Sequence, residues 1–250
     1  MRVSNIAVNV ASITVLLLIW YLATYFNLVP RVFVPSPVAV YQKIVSGFGS
    51  NGMLAKQASS TILSMLLGWF ACSILGIALG SIIGNWPLAQ RALTPIMEIC
   101  RPMPPAAVIP LAVAILGLTR EMSLAVIIFG AIWPALLATV HGFVSIEPRL
   151  REVGEALNMS SFDFIWKIAL PNAVPDIIAG MRLSMVISLV LAVITDMITG
   201  QVGLGSLVVL ASRTFDMAGL FAGLVLLSVI GFVSNAALQL VERRLLAYRN

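Results

Sequence analysis

Charge is what this sequence has least of. Only 10% of its 250 residues are Asp, Glu, Lys or Arg, against 60% hydrophobic, where a soluble domain carries roughly a quarter charged residues. Ten acids and fifteen bases cannot cover so large an apolar content with polar surface, so a soluble globular chain is set aside and lipid is read as the main solvent. Mean hydropathy is +1.03. The fifteen bases never form a run of five or more, so the net charge of +5 does not point to nucleic acid. Histidine occurs once, as His141, with no metal-ligand spacing around it, and reads as an interfacial side chain. Cysteine occurs twice, as Cys72 and Cys100, in or beside apolar segments without metal-type spacing. No metal site is assigned, and both read as buried, reduced thiols. No Ser-His-Asp, Cys-His or paired-carboxylate arrangement can be assembled, so no catalytic residue is assigned. No Gly-Lys dipeptide is present, and with it goes any phosphate-binding loop.

What is present is a series of long apolar runs. About 20 apolar residues, each rising about 1.5 Å, cross the roughly 30 Å of hydrocarbon in a bilayer. That ruler marks about six transmembrane helices: Ile6–Phe26, Ser59–Ile83, Pro95–Leu118, Met122–Val144, Ile177–Thr199 and Leu220–Leu240. The first is too long for a signal-peptide core and reads as a retained span. The expectation is an all-α membrane protein forming one transmembrane domain over 1–250. It comprises an N-terminal span at 6–26, core spans over 59–240 and a connection at 145–176. With the N-terminus inside, the cytoplasmic side holds ten bases (Arg2, Arg91, Arg101, Arg149, Arg151, Lys167, Arg182, Arg243, Arg244 and Arg249). The other side holds five (Arg31, Lys43, Lys56, Arg120 and Arg213). The excess puts both termini in the cytoplasm.

Within the spans the sequence singles out a few positions. Gly68, Cys72, Gly76, Gly80 and Gly84 recur every four residues and lie on one helical face, a stripe for close helix approach within the subunit or against another. Arg101 leads into Pro102, Pro104, Pro105 and Pro110, which must break or bend the backbone at membrane depth. Non-helical backbone there lines water or is buried in protein, so Arg101, Met103, Pro104 and Pro105 are the first candidates for a translocation pathway. Glu98 stands three residues before Arg101 on one face, read as a structural pair or as a gate. Arg182 and Asp196 bracket the fifth span about 21 Å apart. Arg182 is long enough to snorkel inward, while Asp196 faces the bundle interior as a hydrogen-bonding or pathway residue. Pro35-Ser36-Pro37 and the segment after it predict a short amphipathic helix at the outer surface, a lid or brace.

The longest cytoplasmic connection is the most informative stretch. Arg149–Leu157 forms a helix after Pro148, Asn158 suits a left-handed cap, and Ser160 or Ser161 caps a second helix from Phe162 to Ala169, which Pro171 closes. At helical spacing, Phe162, Ile165, Trp166 and Ala169 share one apolar face that needs a partner surface.

This loop resembles the signature of the permease subunits of binding-protein-dependent ABC importers, in which a Glu-Ala-Ala element precedes a Gly and a Leu-Pro follows at a fixed interval. Counting back from Pro171 places the Gly position at Asn158 and Glu-Ala-Ala at Glu152-Val153-Gly154. Asn is the residue that best replaces Gly in a left-handed turn. Val34-Pro35-Ser36-Pro37, Arg101 to Leu111, Gly180-Met181-Arg182, Gly203-Leu204-Gly205 and Glu242-Arg243-Arg244-Leu245-Leu246 extend the resemblance over nearly the whole chain, to the nitrate, sulfonate and taurine subfamily.

The resemblance implies a type I (MetI-like) permease fold in a bacterial inner membrane and a homodimer. It also implies two cytoplasmic ATPase subunits that hold the ATP and Mg, and an extracytoplasmic solute-binding protein. The chain itself would bind no cofactor. ATPase coupling falls on Glu152, Glu155, Asn158, Phe162, Trp166, Leu170 and Pro171. The solute implied is a small anion such as a sulfonate, taurine or nitrate, with bicarbonate and vitamin precursors left open.

Overall fold

A computed structural model describes residues 2–30, 32–49 and 52–245. Its elements are helical throughout: α1 (Arg2–Tyr25), α2 (Pro37–Phe48), α3 (Met53–Asn85), α4 (Pro87–Cys100), α5 (Pro105–Leu116), α6 (Arg120–Val144), α7 (Pro148–Ala156), α8 (Ser161–Phe164), a π-turn at Ile165–Ala169, α9 (Leu170–Thr199), α10 (Leu204–Arg213) and α11 (Met217–Leu245). Four are long and apolar enough to cross a membrane: α3, α6, the continuous helix Ser161–Thr199, and α11. The expected first span falls on α1, whose apolar stretch among the described residues is Ala11–Tyr25.

The expected third span is corrected. It begins at Pro87 rather than Pro95, and the break that the prolines foretell divides it into α4 and α5, which meet at 92° across residues 101–104. Pro102, Pro104 and Pro105 remove successive backbone donors, and the chain leaves the helical ladder there. Pro95 and Pro110 are held inside α4 and α5 respectively.

The centre of the bundle is α3, α6 and α9. The small-residue stripe of α3 is wholly buried, and its glycines seat against α6 at a constant offset of 59 residues: Gly68 on Ile127, Gly76 on Ala135, Gly80 on Thr139 and Gly84 on Phe143. A Cβ on Gly80 would lie 2.6 Å from Thr139 Cβ, and one on Gly84 2.6 Å from Phe143 Cβ. The stripe is therefore an internal seam, and the two helices run parallel along it. Parallel neighbours require a return crossing between them, and α4–α5 is that return. Helix α9 runs antiparallel to α6, with Gly142 on Ala173 and Gly180 on Ala138. It is tied to α3 by Trp69 Nε1, which donates to the Met181 carbonyl at 2.9 Å.

A second correction concerns Pro171, which does not close the helix before it. The helix runs from Ser161 to Thr199 and ends at Gly200, whose φ of 66° stops it. Pro171 lies just past the π-turn and within the first turn of α9. There the wider ring has already taken the backbone out of the i to i−4 ladder that a proline would break.

Helix α2 is the expected short helix. Ser36 caps it by accepting from the Ala39 N–H at 3.3 Å, and Lys43 reaches Asp216 ahead of α11 at 2.7 Å.

Candidate functional site

Helix α7 begins at Pro148, which supplies a ready helical φ, and is held to the end of α6 by Arg151 Nη2 donating to the Phe143 carbonyl at 3.0 Å. It ends as the composition predicts. Asn158 is left-handed, with φ 48°. Its N–H donates to the Glu155 carbonyl at 2.9 Å, and that of Met159 to the Gly154 carbonyl at 3.0 Å. This bond pair is the Schellman arrangement, which satisfies two otherwise orphaned carbonyls. Ser160 then caps α8. Its Oγ accepts from the Asp163 N–H at 3.1 Å and donates to the Asp163 carboxylate at 2.6 Å, and Asp163 in turn pairs with Lys167.

The apolar face expected from a regular helix is not the one found. Phe162 and Trp166 are 70% and 57% exposed, their rings 5.9 Å apart. Ala169 is fully buried, and Ile165 packs with it against Phe143, Ile146, Ala173 and Ile177. The π-turn re-phases the helix, so two of the four residues point out and two point in. Glu152, Val153, Glu155 and Leu157 are exposed on the neighbouring α7, and Pro171 is exposed beyond the turn. Leu170 is half-buried against the Phe143 cluster. The loop thus leaves four apolar side chains exposed (Val153 and Leu157 at α7, Phe162 and Trp166 on the following helix), with the exposed carboxylates Glu152 and Glu155 also on α7.

Gly154 stands where the motif's second alanine would be, and its surroundings give the reason. A Cβ there would lie 2.8 Å from Cδ2 of Phe164, whose ring covers α7 at this point. Sequence reasoning passed over Phe164 and Arg151. The signal for Phe164 was the glycine itself, a small residue in a helix that had no other need of one.

The pathway candidates lie elsewhere. Arg101, Met103 and Pro104 are exposed in the α4–α5 break, and Pro105 is half-buried against Gly130 of α6. Among the described residues no ion pair joins Glu98 to Arg101, and both side chains are exposed. Helix α4 buries no residue, so these charges face away from the fold rather than each other. Arg182 does not snorkel alone. It pairs with Glu242 near the end of α11, both partners about a third exposed or less.

Asp196 is 5% exposed, enclosed between α3, α9 and α10. Thr61 Oγ1 donates to its Oδ2 at 2.7 Å and accepts from the Leu204 N–H at 2.8 Å. The Gly205 N–H also bonds the carboxylate. Together Thr61 and Asp196 satisfy the first backbone donors of α10, where an anion is favoured. Gly203 and Gly205 are small because Asp196 and the Val193 carbonyl occupy the space their side chains would take. Among the described residues no hydrogen bond or ion pair joins the break residues to Asp196.

Among the described residues no group of three or more His, Cys, Asp and Glu is arranged to hold a metal.

Residues 73–247 match the family model described as binding-protein-dependent transport system inner membrane component. The chain is 26% identical to the taurine transport system permease protein TauC of Escherichia coli over 96% of its own length and 89% of that protein. It is 29% identical to the nitrate import permease protein NrtB of Synechocystis over 83% and 78% respectively. It is also 26% identical to the putative aliphatic sulfonates transport permease protein SsuC of Bacillus subtilis, over 94% and 85%. In fold it is similar to a chain of the inward-facing MetNI methionine ABC transporter, with TM-score 0.68, 18% identity, and coverage of 77% of this chain and 96% of that one. Broken return crossing, glycine-seated parallel helices and projecting helical loop accordingly belong to one design: the chain is a member of the binding-protein-dependent transport system inner membrane component family, a permease subunit of an ABC importer and not an enzyme.

Proposed function

We propose that this chain, as one 1–250 permease domain, forms half of the path by which a small anion of the sulfonate, taurine or nitrate kind enters the cell. It takes its drive from a separate ATPase through the loop Glu152–Pro171. The observation that carries the reading is the exposure of Phe162 and Trp166, whose rings lie 5.9 Å apart, in a loop that also exposes Val153, Leu157, Glu152 and Glu155. Exposed aromatic side chains on a loop between two spanning helices call for a partner to cover them. The helix bearing Phe162 and Trp166 is continuous with α9, so a push on the loop is a push on a spanning helix. ATP and Mg belong to that partner. Two ATPase subunits, a second copy of this chain and an extracytoplasmic binding protein complete the assembly. Both termini lie in the cytoplasm by the ten-to-five division of bases. The solute class rests on the relatives, which transport taurine, nitrate and sulfonates by their names. Arg101, Met103, Pro104 and Pro105 line the path in this reading, at the broken backbone between α4 and α5, whose exposed side chains are free to face a second copy of the chain.

The test is capture of the cognate ATPase by this chain in detergent, comparing wild type with Glu152→Ala and Phe162→Ala. Capture by wild type that is lost or much reduced in the variants supports the reading. Equal capture and equal ATP-driven uptake by all three would remove the loop from coupling.

A further inference from the structure

We infer that the Ile165–Ala169 turn holds one residue more than its helix needs, and that taking up this residue in a widened turn, rather than winding it into regular helix, sets which side chains face the ATPase. The inference rests on the docking role proposed above and adds to it the element that orients the docking face.

The bond that closes the turn is Leu170 N–H to the Ile165 carbonyl, a span of five residues where an α-helix uses four. Every residue before the turn is therefore displaced by one position, about 100° of rotation, from where unbroken α-helical counting from α9 would put it. Counting back from buried Ala173 and Ala169 in steps of three and four would bring Ile165, Trp166 and Phe162 inward together. The structure instead turns Phe164 onto Gly154 and Ile165 into the core, and leaves Phe162 and Trp166 outside. The two features match each other. Gly154 leaves the opening that Phe164 fills, and the extra residue in the turn aims Phe164 at it. Were the same sequence wound as unbroken α-helix, Trp166 would press on the core and Phe164 would leave α7.

This reading makes an unusual demand. Removing one residue from inside the turn converts the existing Ile165–Leu170 bond into an ordinary i to i−4 bond and leaves both flanks in their present phase. Removing two rotates α8 by about 100°. A regular helix at this place would show the opposite: the first deletion would already rotate the face.

The experiment compares ATPase capture by the full-length chain carrying Cys100→Ser with that of three further variants: deletion of Lys167, deletion of Lys167 and Ile168 together, and Phe162→Ala with Trp166→Ala. Cys72, fully buried, reports folding by its protection from a thiol reagent in detergent. The single deletion is expected to keep Cys72 protected and to capture the ATPase within about threefold of the parent, while the double deletion weakens capture by about tenfold or more. Three results would overturn the inference: the single deletion losing as much as the double, the single deletion exposing Cys72, or the double deletion capturing as the parent does. The aromatic variant separates the two levels. If it loses capture, the docking reading stands whatever the deletions do; if it captures as the parent does, the docking reading falls and the inference with it.

Discussion

Phe164 occupies the space that a side chain at Gly154 would need, its Cδ2 2.8 Å from where a Cβ would stand. Gly154→Ala therefore carries two opposed effects. Alanine favours the helix by about 0.5–1 kcal/mol, while the displaced ring costs a similar amount. The thermal midpoint is expected to move little and ATPase capture to fall. Gly154→Val, which cannot be absorbed by a small ring shift, is expected to cost about 1–3 kcal/mol. Adding Phe164→Leu to Gly154→Ala should recover capture, and a double-mutant cycle on capture measures the coupling.

Asp196 is expected to matter for stability before it matters for flux. Asp196→Ala leaves the Gly205 N–H and the Thr61 hydroxyl without their acceptor in a buried site, a loss of about 1–3 kcal/mol. Asp196→Asn retains an acceptor oxygen and should lose less. Because Thr61 and Asp196 share one network, their Ala and Val replacements should be non-additive by at least about 0.5 kcal/mol. Thermal unfolding in detergent reads all four states. Normal stability of Asp196→Ala with altered transport would assign the residue to the pathway instead.

The Lys43–Asp216 pair gives an acid-side signature. The Lys43 ammonium, with help from the Gly219 N–H, holds the Asp216 carboxyl below the usual carboxylate range. A lowered folded pKa stabilises the fold above the unfolded value of about 3.9, and that contribution disappears as pH falls through the folded value. With both side chains partly exposed, 47% and 38%, the pair is worth about 0.2–1 kcal/mol and is screened by salt. Lys43→Met should lower the thermal midpoint at pH 7 and converge with wild type at the acid end. Half-molar salt should shrink the difference.

At the α3–α6 seam, Gly80→Leu places a side chain where Thr139 and the Leu136 carbonyl already stand. Overpacking of this kind costs about 1–3 kcal/mol or more. The expected readout is loss of folded protein in detergent, judged by exposure of Cys72 on the same stripe. Ile82→Leu, at an exposed position of the same helix, should leave Cys72 protected.

Much of this architecture is legible in the chain because it rests on local chemistry. The four-residue glycine spacing announces the seam, Asn158 announces its left-handed turn, and Ser160 announces the cap of α8. The remainder depends on contacts across long stretches of chain or on a single unit of phase. The prolines after Arg101 foretell a break but not its 92° angle, nor the seating of Pro105 against Gly130 of α6, a contact that no local pattern encodes. Arg182 finds its counter-charge sixty residues later on α11, a pairing no local pattern encodes. The π-turn has no composition of its own: Ile165-Trp166-Lys167-Ile168-Ala169 reads as plain helix, and only the seating of Phe164 on a glycine of the preceding helix reveals that the count is off by one.

The seam between α3 and α6 also limits how the subunit can move. Small-residue seats, four glycines and Cys72, recur every four residues, so sliding one helix along the other lifts each seat onto a bulkier neighbour until a whole step of about 6 Å is completed. Small displacements find no resting place along that line. The pair therefore acts as a keyed joint, and the working stroke of the transporter must be carried by whole-bundle tilting or by the pieces hung on its outside, the folded return crossing and the braced outer helices.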